Sequence, residues 1–463
     1  MPAWIAVLVS LAVLFVFGNA VTRMASRGLR LLWYERCALA WLLGTGASTI
    51  TWFLLTPLHR WISPIWTVTG MAMALAFLAS RRSTRMGAGG AGFVMSSGAI
   101  LLTLVLLLQF VVLGLAAMWT TLGWDGLFNF ELKARLAFEH APAGQMPRSY
   151  FADASRAWSH PRYPLLVPFT EFWIYSWLGR IDQSAVKIVF PLFYVSLAAL
   201  VCGAVRRVAN LQSALVTAIA LGCIPALTLL PGAASGYADV PLAASVAGAA
   251  CFTYMTLRTR DLRYANIATG LLIVAVWTKA EGVILAGAIG LSALGTAGAI
   301  DRRRLSALLW MPAVALVPWQ VALRLNGAQR TGDFRAMTFS GMSNVFDTLI
   351  VVCPLVMKEL IRPGHWGLVW PCFFASALLM VAGRRSTRAD WFLAAAVLIP
   401  LKVYALMYVF SAWPDVSAHV GFSISRLLVP LAPVATFFVV RRAVDDLGST
   451  RSNGHDPRHH AAS

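Results

Sequence analysis

Apolar residues in this chain come as long runs, not as the one-sided stripes of a soluble helix. Runs of about 20 residues, the length a helix needs to cross the hydrocarbon core of a bilayer, recur from Trp4 to Val440 with short polar links between them. They predict membrane-crossing helices at about 4–21, 37–56, 64–80, 93–118, 185–205, 212–230, 238–257, 264–278, 280–299, 305–323, 366–382, 390–410 and 426–440. The expected fold is therefore an all-α polytopic transmembrane bundle of about thirteen spans. Arginines collect in alternate links: Arg81, Arg82 and Arg85; Arg206 and Arg207; Arg258, Arg260 and Arg263; Arg302 to Arg304; Arg384, Arg385 and Arg388; Arg441 and Arg442. Short loops rich in Lys and Arg stay on the cytoplasmic side. This threading puts the N-terminus outside and the tail inside. Trp4 to Val21 has its positive residues (Arg23, Arg27, Arg30) after it and none before it. It reads as a retained helix, not a secretory signal.

Three stretches break the pattern. Residues 119–165 are too polar for lipid and form a long outer loop. Residues 164–178 are apolar, but a crossing there would put Arg206 and Arg207 on the wrong side, so they are expected as a juxtamembrane helix along or shallowly in the outer surface. Asn344 to Ile361, with Asp347, Lys358 and Glu359, is expected as a second interfacial helix for the same reason. Three parts follow: a three-span extension at 1–92, a main membrane domain at 93–440 and a cytoplasmic disordered tail at 441–463. The His459–His460 pair in that tail reads as part of a loose segment.

Composition narrows the class. The chain is 59% hydrophobic and 12% charged, about half the charged fraction of a soluble domain. A water-soluble enzyme is excluded. The net charge of +19 would point to nucleic acid in a soluble protein; here the cytoplasmic links account for it, and no nucleic-acid partner is expected. The six cysteines lack metal or redox spacing and read as small buried hydrophobes.

The remaining ionisable residues gather on the outward side. Asp125 follows the fourth span, Asp239 opens the span GYADVPLAA, and Lys279 and Glu281 lie in the tight link TKAEG. Arg324, Arg330, Asp333 and Arg335 lie in a later outer loop, and Asp415, His419 and Arg426 lead into the last span. An ionisable group at membrane depth is costly unless paired or wet, so each is a functional candidate. In the long loop Asp125, Asn129 and Lys133 are four apart and share one helical face, while Phe128, Leu132 and Leu136 form an apolar face beside it. Glu131 and Arg135 read as a structural i,i+4 pair. His160-Pro161-Arg162-Tyr163-Pro164 is a rigid link; His160 can orient or protonate a substrate or cap the next helix, and Tyr163 stands beside it. An acid with basic groups at the same depth suits attack by a hydroxyl on a sugar held by a phosphate. The carboxylate takes the proton and the cations hold the departing phosphate. No P-loop motif, no GxGxxG opening a strand–helix unit and no HExxH is present.

These residues, with the segments WDGLFNFELKAR, HPRYPLL, GYADVPLA, TKAEG and HVGFSISRLLVPLAP over about Gly123 to Pro433, resemble the GT-C superfamily of polytopic glycosyltransferases. The likeness is to bacterial members of the protein-O-mannosyltransferase and aminoarabinose-transferase type. It implies inverting transfer from a polyprenyl-phosphate sugar to a glycan, lipid or protein acceptor on the outer face of a bacterial inner membrane, among membrane lipids. It implies Asp125 as the base, with Lys279 and Arg426 at the donor phosphate. Lys133, His160, Tyr163, Asp239, Glu281 and His419 complete the expected substrate site. Two positions depart from the mannosyltransferases: Gly126 stands where a second acid follows the first, and Arg162 replaces the second proline of His-Pro-Pro. No cofactor or metal site is expected, although Asp125, Asp239 and Glu281 can in principle share a divalent cation. Two other classes fit the composition: a transporter or flippase of a lipid-linked or anionic solute, and a non-catalytic membrane scaffold.

Overall fold

The structure is a computed structural model. It describes residues 1–463 except 60, 82–95, 141–145, 299, 301, 329–332, 336–344, 384–385 and 454–463, with side chains also left out at 81 and 446–453. Among the described residues it is all-α, and its single β-bridge joins Phe334 to Ser411. In chain order the longer helices are α1 (Ala3–Ala25), α2 (Trp33–Leu54), α3 (Pro64–Arg81), α4 (Ser97–Trp119) and, after a π-helical segment (Gly126–Glu131), α5 (Leu132–Glu139). Then come α6 (Leu166–Leu178), α7 (Val189–Val208), α8 (Leu211–Gly222), α9 (Asp239–Thr259), α10 (Leu262–Thr278), α11 (Gly282–Thr296) and α12 (Ala307–Leu325). The last are α13 (Val345–Leu360), α14 (Val369–Val381), α15 (Arg388–Met407), α16 (Val416–Leu428) and α17 (Ala432–Asn453).

Seven helices are long and apolar enough to cross a bilayer, or eight if the pair α16–α17, bent by 53°, counts as one broken span. This is a membrane-embedded helical protein. The expected spans at 64–80, 212–230, 264–278, 280–299 and 366–382 fall on helices shorter than a full crossing. The reasons are local. The run at 212–230 stops at Gly222 because Pro225 removes a donor and Pro231 and Gly232 turn the chain. The expected last span breaks between Leu428 and Ala432, at Pro430 and Pro433, so Arg426 lies in the last turn of α16, before the break.

α9 is the hub, with 94% of its apolar window buried against 11% for the peripheral α4. α1 and α2 cross at glycines: a Cβ on Gly18 would lie 1.7 Å from Ala40 O, so only glycine lets the two backbones meet. Within the stretch expected as an N-terminal extension, α2 packs on α7 and the buried Glu35 accepts from Arg207 Nε at 3.1 Å.

α6 covers the stretch expected as a juxtamembrane helix. The helix forms and ends at Gly179, which adopts φ 70° and donates to Tyr175 O at 2.8 Å. Residues 166–175 are all buried within the protein, packed against α1, α2 and α5, and Trp173 Nε1 donates to Ser10 O at 2.9 Å. The burial takes in the carboxylate of Glu171. The stretch expected as a second interfacial helix is helical over α13, with Phe346 and Ile350 exposed and Val352 and Val356 buried. The tail boundary also moves. α17 runs on through 441, and Arg441 and Arg442 are buried beside Asp390 of α15, at 3.6 and 3.9 Å. His459 and His460 lie outside the described residues.

The bundle has two unlike ends. One holds the arginine links: Arg207 reaches Glu35 and Arg30 O, and Arg441 and Arg442 reach Asp390. Helices starting there are capped in the usual way: Ser96 Oγ accepts from Ala99 N, Asn210 from Ser213 N, Asp261 from Arg263 N and Thr387 from Asp390 N. The other end holds the candidate site.

Candidate functional site

The site is assembled from helix ends. Gly123 N donates to Ser235 O at 2.7 Å, which lays the start of the long loop against the turn before α9. The approach is close: a Cβ on Gly123 would lie 2.6 Å from the Tyr237 ring, and one on Gly126 3.0 Å from Ser235 O. Asp125 is thereby held beside Asp239, the first residue of α9. Lys279 sits between α10 and α11, and Arg426 arrives from α16.

Arg426 Nη2 donates to Asp125 Oδ2, and its Nε and Nη2 each lie 3.4 Å from Asp239 Oδ2. Lys279 Nζ donates to Asp239 Oδ1 at 2.9 Å and lies 3.1 Å from Glu281 Oε1. The result is a continuous buried chain, Asp125–Arg426–Asp239–Lys279–Glu281, with acids and bases alternating. Burial alone would lower the Lys279 pKa; Asp239 and Glu281 outweigh it and raise it. Tyr237 underlies Arg426, its ring centre 4.8 Å from the guanidinium carbon.

A second group stands beside this chain. Lys133, fully buried, donates to Asn129 Oδ1 and to His160 O, both at 2.8 Å. Burial lowers its pKa to about 7, although Asp125 pulls it up. His160 takes a left-handed conformation, φ 46°, and stacks on Tyr163 with ring centres 4.7 Å apart. Its Nδ1 lies 3.7 Å from Asp333 Oδ2, and burial outweighs that carboxylate, so its pKa is lowered. Tyr163 joins the two groups, with Lys133 Nζ at 5.7 Å and Lys279 Nζ at 6.0 Å from its ring centre. Burial, then Glu281, raises its pKa well above the ordinary value.

A cavity of about 250 Å3 opens onto these residues. His160, Tyr163, Lys279, Glu281, His419 and Arg426 line it; Asp125, Lys133 and Asp239 stand behind Arg426 and Tyr163. His419 is held by Ser411 Oγ at 2.8 Å from Nδ1 and is stacked on Trp413 at 4.9 Å. All nine residues singled out from the sequence thus fall at one end of the bundle. Tyr237, Phe334 and Trp413 were not among them. Tyr237 stands two residues before Asp239, within the quoted motif, whereas the two aromatics are brought in by the bridge at Ser411.

Among the described residues no group of three His, Cys, Asp or Glu is placed to hold a metal. The acids considered for a shared divalent cation are instead turned onto Arg426 or Lys279. No family model matches the sequence, and a search of curated proteins finds no match.

Proposed function

We propose that the protein is a membrane glycosyltransferase of the GT-C type, moving a sugar from a polyprenyl-phosphate donor to a hydroxyl acceptor with inversion at the anomeric carbon. On this reading the apolar helices make thirteen passages, the arginine end faces the cytoplasm and the acid–base end faces outward, across a bacterial inner membrane. The acceptor is a glycan, lipid or protein. The observation that carries the proposal is the meeting of Asp125, Asp239, Lys279 and Arg426, from four separate segments, in one buried chain at the rim of a cavity.

The chemistry follows from the order of that chain. The acceptor oxygen attacks the anomeric carbon, the bond from that carbon to the phosphate oxygen breaks, and Asp125 takes the hydroxyl proton. Polyprenyl phosphate leaves with the electron pair, its added charge met by Arg426 and Lys279. Arg426 occupies Asp125 in the free protein. A phosphate entering the cavity competes for that guanidinium, so donor binding uncovers the base. Asp239 holds both cations in place from behind. Asp125→Asn keeps the shape and hydrogen bond but removes the proton acceptor. It should cut transfer by about 10²–10⁴-fold, the usual contribution of a general base, in proteoliposomes given lipid-linked sugars. Transfer at the wild-type rate refutes the assignment. Mass spectrometry of surface glycans and lipids in a deletion strain would identify the sugar and acceptor.

A further inference from the structure

The bundle carries a larger cavity that extends to its arginine end. It measures about 610 Å3, within the roughly 300–1,000 Å3 of ligand pockets. The cause is the way α4 docks. Gln109 Nε2 donates to Ile219 O and Gln212 Nε2 to Ser96 Oγ, both at 3.2 Å, which ties α4 to α8 at two points. Only Ala99, Leu113 and Ala117 of α4 are buried. Between α4 and α2 a groove remains, floored by α7 and α8. Leu106, Leu107 and Phe110 form one wall, Ala38 the other and Ala199 part of the floor.

The groove is apolar along its length and cationic at one end, where Arg206 lies beside the Tyr34 hydroxyl. No carboxylate lines it. From Leu192 to Arg206 the floor helix rises about 21 Å at ~1.5 Å per residue, more than half of the ~30 Å hydrocarbon thickness. Leu107 is exposed on the outer face of the bundle, so the groove is bordered by the surface that lipid covers.

We propose that this groove holds one anionic glycerophospholipid, an acyl chain lying between α4 and α2 and the phosphate at Arg206. The assignment depends on membrane embedding and not on the chemistry at the opposite end. Charge complementarity selects the occupant: an uncharged lipid leaves the half-buried Arg206 without a counter-charge from the ligand, whereas a phosphate supplies one.

Native mass spectrometry of the full-length protein in detergent tests this, with phosphatidylglycerol and phosphatidylcholine of identical acyl chains titrated in parallel. One phosphatidylglycerol should bind about fivefold more tightly than phosphatidylcholine, the fold-change for the ~1 kcal/mol that one basic residue contributes at a lipid surface. Arg206→Gln should equalise the two lipids while leaving binding of the chain. Ala199→Trp fills the floor, and Leu107→Trp fills the wall from an exposed position that tolerates a large side chain; each should weaken binding at least tenfold. Equal affinities of the wild type for the two lipids overturn the proposal, as does undiminished binding by both tryptophan variants.

Discussion

Asp239 is the carboxylate on which both cations of the site depend, and its removal gives the sharpest prediction. Lys279 Nζ is 2.9 Å from one of its oxygens and Arg426 is 3.4 Å from the other. At an effective dielectric of about 20 these separations correspond to roughly 6 and 5 kcal/mol of attraction, before the desolvation of each charge is set against it. Breaking a buried pair by removing one partner costs about 3–5 kcal/mol. Lys279 keeps Glu281 and Arg426 keeps Asp125 in Asp239→Asn, so the low end applies, about 3 kcal/mol. Lys279→Met strands Glu281 as well and should cost about 4 kcal/mol. If the two charges hold each other, the double variant loses far less than the sum, by about 2 kcal/mol or more. The assay is equilibrium unfolding in mixed detergent–SDS micelles followed by tryptophan fluorescence. Losses that add to within about 0.5 kcal/mol would show the pair to be uncoupled and refute the network.

Other outcomes are open to direct measurement. Gly123→Ala should push the Tyr237 ring off Arg426, since the new Cβ would lie 2.6 Å from it; overpacking of this kind costs about 1–3 kcal/mol and should lower transfer in the proteoliposome assay. Lys133 has a folded pKa of about 7 against an ordinary 10.5. Between those values the unfolded chain carries a proton that the folded chain lacks, so this residue makes stability rise with pH there, by at most about 1.4 kcal/mol per unit. Lys133→Met should flatten that slope in unfolding curves taken at pH 7 to 10. Glu35→Gln should loosen α2 from α7 by removing the charge opposite Arg207, at a cost of about 3 kcal/mol in the same unfolding assay.

The sequence showed the parts of the site more clearly than their connections. A charge at the end of an apolar run is conspicuous, which is why Asp125, Asp239, Lys279 and Arg426 stand out without any structure. Their pairing is not visible, because which acid meets which base depends on helix packing across hundreds of residues. The spacing of Asp125, Asn129 and Lys133 placed them on one face, and Lys133 does bond Asn129. The π-helical winding of Gly126–Glu131 has no signature in that periodicity. The burial of α6 was hidden for a related reason. Its mostly apolar character was legible, but a 13-residue helix of that kind carrying one carboxylate, Glu171, fits either a bilayer surface or a protein interior. The charge-counting argument only removed a full crossing. The break before α17 was foreshadowed by Pro430 and Pro433, whereas the burial of Arg441 and Arg442 needs Asp390 from another helix.

Arg426 is also the last of the linked residues to leave the ribosome. Chains are made and inserted from the N-terminus, so Asp125, Asp239, Lys279 and Glu281 are in place while the guanidinium is still to come. Until then the assembling bundle holds three carboxylates against one ammonium, an excess negative charge that draws α16 inward when it emerges. Docking of that helix supplies the last charge of the buried chain, with α17 still to follow.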